Sequence, residues 1–119
     1  MDSGKFFELA GGTLYVTAQG GAIGNLTIAG DAIFSGGTIW DNVSEATGDQ
    51  GLLRILGNAA LSTQCLFRTR DVARVGGVPS YWNTVIIAGI RAGDFSFAVP
   101  APNWTATWIN GVLIIGEPG

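Results

Sequence analysis

The chain contains no histidine. That removes the usual proton shuttle of serine and cysteine nucleophiles and the commonest transition-metal ligand. Its single cysteine, Cys65, allows neither an internal disulfide nor a structural zinc site. Between Gln64 and Leu66, on an expected strand, the thiol reads as a small buried hydrophobe. Charge is scarce as well: 13% of the 119 residues are charged, where an ordinary soluble domain has about 25%. The net charge of −3 disfavours nucleic acid, whose phosphates call for a basic face. The longest aliphatic stretch, Val85 to Ile90, is broken by Gly89 and is far short of the ~20 residues of a membrane helix. The opening Met-Asp-Ser-Gly-Lys lacks the apolar core of a secretory signal, so no export signal is expected.

What is abundant is glycine, 19 residues, set between short runs of Val, Ile, Thr, Phe and Trp. This is the punctuation of strands and turns. The length suits one domain. Strands are expected near Lys5 to Leu9, Thr13 to Thr17, Asn25 to Ile28, Ala32 to Ser35, Thr38 to Trp40, Leu52 to Leu56, Thr63 to Thr69, Thr84 to Arg91, Asp94 to Val99, Trp104 to Ile109 and Val112 to Ile115. Residues 52–62 also fit a helical period, but Gly57-Asn58 argues for a turn between two strands. The segment from Asn42 to Gln50 reads as the main polar loop. Asn110-Gly111, flanked by alternating residues, predicts a type I′ hairpin. No exact internal repeat is visible. The fold expected is all-β, an antiparallel sandwich or barrel of about 8–11 short strands.

No catalytic constellation emerges, and no cofactor is expected. Asp41, Asn42, Glu45 and Asp49 are chemically suited to calcium but lack EF-hand spacing, and a solvated loop accounts for them better. The glycine pairs lack the setting of phosphate-binding loops. Arg68, Arg70 and Arg74 form the one basic cluster, either a clamp for carboxylates on a neighbouring subunit or a solvated strand edge. Thr84 to Ile90 is apolar on both faces, which places Val85 and Ile87 in a doubly covered strand or a subunit interface. Tyr81 and Trp82, beside Pro79, are candidates for the same interface. A sugar-binding module is the alternative, with Trp40, Tyr81, Trp82, Trp104 and Trp108 as stacking platforms.

The stretch Asn25-Leu-Thr-Ile-Ala-Gly-Asp-Ala-Ile-Phe-Ser-Gly-Gly-Thr-Ile-Trp40 resembles segments of tailed-bacteriophage virion proteins, especially tail fibres and related β-rich appendages. The resemblance covers 16 residues and carries over no site residues. It implies a structural virion protein, either a capsid decoration (cement) protein or a fibre or baseplate component. Such a protein assembles as a homo-oligomer, a trimer in the first instance, against major capsid or tail proteins.

Overall fold

A computed structural model describes residues 6–16, 24–73, 75 and 79–117. Among these residues there are thirteen strands and no helix. They are β1 (Phe6–Leu9), β2 (Thr13–Tyr15), β3 (Asn25–Ile28), β4 (Asp31–Phe34), β5 (Thr38–Val43), β6 (Leu52–Ile55), β7 (Ala59–Leu61), β8 (Leu66–Asp71), β9 (Ser80–Ile87), β10 (Arg91–Ala92), β11 (Ser96–Ala98), β12 (Thr105–Ile109) and β13 (Val112–Glu117). The strand-turn-strand reading of residues 52–62 is correct, with β6 and β7 as its two strands; β10 is additional, and Cys65 lies in the bend before β8, fully buried.

The all-β expectation holds, but the antiparallel sandwich or barrel does not. From β1 to β8 each strand pairs in parallel with the third one after it, giving sheets in the order β1-β4-β7-β10, β11-β8-β5-β2 and β12-β13-β9-β6-β3, the last with β12 and β13 added antiparallel. The chain therefore winds as a three-sided coil, a short parallel β-solenoid. Neighbouring parallel strands normally need a long crossover. Here the crossover is one whole turn of the coil, and tight bends suffice at most corners.

A degenerate motif marks one corner. Leu26-x-Ile28-x-Gly30-Asp31-Ala32 stacks on Leu53-x-Ile55-x-Gly57-Asn58-Ala59, and Val85-x-Ile87-x-Gly89 follows in the same register. The coils are 25, 27 and 32 residues long, counted from Phe6 to Asp31, Ala32 to Ala59 and Ala59 to Arg91. Uneven spacing hides this repeat from inspection of the sequence. At the corner the Gly57 amide donates to the Gly30 carbonyl at 3.0 Å, and the Gly89 amide to the Gly57 carbonyl at 2.9 Å. A Cβ on Gly57 would lie 2.7 Å from the Gly30 carbonyl carbon, so only glycine lets the coils close to strand spacing here.

Inside the coil, like sits on like. Leu53, Val85 and Leu113 form one buried row and Ile55 and Ile87 another, while Ile39 lies over Phe67. Phe95 packs edge-on to Phe34 and stacked on Phe67, at ring separations of 5.5 and 5.6 Å. These contacts are the core that the alternating apolar positions supply.

The expected hairpin closes the end of the coil. Asn110 and Gly111 have φ of 50° and 77°, as a type I′ turn requires, and β12 pairs antiparallel with β13. β13 also pairs antiparallel with β9, with a bulge between Leu113 and Ile114. Trp108 packs against Phe95 at 6.3 Å, and its Nε1 donates to Asp94 Oδ1 at 2.8 Å. The Arg91 guanidinium lies over the same indole, 4.6 Å from the ring centroid.

Candidate functional site

The two ends of the coil differ. At the last coil the outermost strands are β10, β11 and β12, with the hairpin and Trp108 packed on the core, and at the first they are β1, β2 and β3. Phe7, Leu14, Leu26 and Ile28 point inward from this first coil but are only partly buried. Their register partners Ala32, Ile39, Leu53 and Ile55 are completely or almost completely buried. The contrast measures what one further layer on the first coil would cover.

A second surface lies on the outer face of the β2-β5-β8-β11 sheet. Register places Tyr15, Trp40, Arg68 and Ala98 side by side across the four strands. The Arg68 guanidinium sits 4.7 Å from the centre of the Trp40 ring. Arg70, two residues on, shares the outward side of β8 and is exposed. β11 pairs with β8 only as far as Ala98, and Val99 and Pro100 then leave the sheet. Where β11 stops, Trp40, Arg68, Thr69, Arg70, Asp71, Ala98, Val99 and Pro100 bound an open hollow of about 530 Å³. Asp71 Oδ1 is engaged by the backbone amides of Glu45 and Ala73 at 3.3 and 3.2 Å. These bonds tie the loop after β5 to the loop after β8, with the Ala46 amide donating to the Ala73 carbonyl at 3.0 Å.

The remaining predicted residues separate. Arg74 lies outside the described residues. Val85 and Ile87 face the interior and are buried within the chain's own core, so a folded chain has neither to offer to a partner. Trp82 and Trp104 are buried and stacked on each other at 5.3 Å, which rules out both as exposed sugar platforms and Trp82 as an interface residue. Tyr81 is 67% exposed, its ring lying over Gly116. Trp108 belongs to the end closure. Of the five aromatic candidates, Trp40 alone joins the arginines in one hollow.

Asp41, grouped with Asn42, Glu45 and Asp49 as residues of a solvated loop, belongs instead to β5, where Ile39-x-Asp41-x-Val43 has the alternation of an inward row. It is fully buried on β5 opposite Thr69, and neither of its carboxylate oxygens reaches a hydrogen-bond partner among the described residues. Burial raises its pKa to about 8, and the nearby Asn42 amide offsets this only in part. Asn42 and Val43 are the last residues of β5, so the loop proper begins at Ser44.

No protein family, curated protein or solved structure matches the chain.

Proposed function

We propose that the protein is a non-enzymatic structural component of a β-rich assembly, a virion of the tailed-phage type, in which copies of the chain are held together through their first coils. The observation that carries this reading is the partial exposure of the inward-facing Phe7, Leu14, Leu26 and Ile28 on three edge strands, at the opposite end from the hairpin. Parallel edges present unpaired amides and carbonyls, and natural proteins blunt such edges unless they are used. The inward residues beside them are apolar, so one docking event pairs backbone and buries hydrocarbon together. A decoration or appendage role needs this kind of adhesion and no reacting group.

The partner this face fits is a second copy of the same end. A face that meets itself closes with twofold symmetry, so an even-numbered assembly is the expectation from this surface. Sedimentation velocity over a concentration series tests it. The wild-type chain should dimerise, while Leu26→Lys, a charge on the edge strand β3, should remain monomeric with an unchanged circular dichroism spectrum. A wild-type chain that stays monomeric up to millimolar concentration overturns the proposal.

A further inference from the structure

We propose that the hollow beside Trp40 binds a saccharide carrying a carboxylate, a uronic-acid unit of an acidic glycan. Arg68 and Arg70 are two of only six basic residues in a chain of net charge −3, yet they project from the same side of one strand. Alternate residues of a strand lie ~6.5–7 Å apart, close enough for both forks to address one bound anion and its neighbouring hydroxyls. Neither guanidinium is ion-paired to a carboxylate among the described residues. Arg68 is held in place by the Trp40 ring, which limits the freedom it would lose on binding. Asp71, the acid bounding the hollow, has Oδ1 bonded to the Glu45 and Ala73 amides and Oδ2 shielded from solvent.

The rest of the lining selects the body of the ligand. Ala98, Val99, Pro100 and the indole of Trp40, with the Arg68 guanidinium over its ring, bring apolar surface to the hollow beside the charged groups. Inorganic anions have no use for such surface, whereas a pyranose ring offers an apolar C–H face beside its carboxylate and hydroxyls. A volume of about 530 Å³ falls within the ~300–1,000 Å³ of small-ligand sites and leaves room for more than one sugar unit. The hollow also has a structural cause independent of binding: β8 continues through Asp71 after its partner β11 has ended. Nothing in this argument depends on the first coil, so the site can stand or fall apart from the assembly reading.

The test uses trigalacturonate as the probe, with its neutral methyl ester, acetate and inorganic phosphate as comparators. Titration of the isotopically labelled chain, followed by NMR, should give saturable shifts at the Trp40 indole and at the Arg70 side chain. The free acid should bind at least ~10-fold more tightly than the ester, and Arg70→Gln should lose a similar factor, because a charge-assisted fork is removed from an exposed face. Trp40→Leu should weaken binding of the acid further. Equal binding of acid and ester, unchanged binding by Arg70→Gln, or shifts centred elsewhere would each overturn the proposal. Acetate or phosphate binding as tightly as trigalacturonate would overturn the saccharide assignment, and absence of saturation with every probe would remove the site altogether.

Discussion

Asp31 and Asn58 occupy the same corner on successive coils, and Asp31 Oδ1 accepts the backbone amide of Asn58 at 2.9 Å. One coil further on, Asn58 Oδ1 accepts the amide of Ile90 at the same distance. The two short side chains form a ladder parallel to the coil axis, each taking up an amide where the chain bends away from its sheet. Such side-chain to backbone bonds are worth about 1 kcal/mol each, more where the freed amide is shielded from water. Asn58→Ala removes the acceptor for Ile90 and should lower stability by ~1–2 kcal/mol in urea denaturation. Asn58→Asp preserves that acceptor and should recover most of the loss. An alanine variant as stable as wild type would show that the ladder contributes nothing.

The glycines before these residues give a sharper contrast. A Cβ on Gly89 would lie 2.5 Å from the Gly57 carbonyl oxygen, whereas one on Gly11 would meet nothing within 4 Å. Gly89→Ala must push two coils apart at a backbone contact that no rotamer can relieve, and overpacking of that kind costs roughly 1–3 kcal/mol or more. Gly11→Ala should be almost neutral. Thermal melting of the two variants side by side checks this, and equal melting temperatures would contradict the close stacking at the corner.

Asp41 makes stability depend on pH in a direction opposite to that of an ordinary salt-bridged carboxylate. Its pKa rises from 3.8 to about 8 on folding, so between these values the folded chain holds a proton that the unfolded chain has released. Stability contributed by this group is complete below about pH 4, falls as pH rises towards 8, and levels off above it, with a limiting slope of ~1.4 kcal/mol per pH unit. Asp41→Asn keeps the side chain neutral at every pH. Its melting temperature should match wild type near pH 4 and exceed it by several degrees at pH 8. A variant less stable than wild type at pH 8 would mean that the carboxylate is ionised and paired in the folded protein.

Cys65 is fully buried, and burial pushes its thiol up to about 11. Thiolate is the reacting form, so labelling in the native state should be suppressed by both access and protonation. Reaction with a maleimide at pH 7 should follow the opening of the fold and accelerate through the urea transition. Fast stoichiometric labelling of native protein would place the thiol at the surface.

All-β class and local structure were legible in the residues themselves. Asn110-Gly111 makes its turn from its own φ preferences, and the short alternating runs become strands close to where they were expected. Which strand pairs with which is a different kind of quantity. A solenoid strand facing core on one side and water on the other has the same alternation as a strand of an antiparallel sandwich, so hydrophobic period carries no sign of direction. Only the stacking of Gly30, Gly57 and Gly89 at one corner, across coils of unequal length, decides for the parallel coil. The same stacking buries Trp82 and Trp104 and turns Val85 and Ile87 inward. It also brings Trp40 beside Arg68, residues 28 positions apart, because side-chain neighbours across a sheet are set by register, which exists only once the coils have closed.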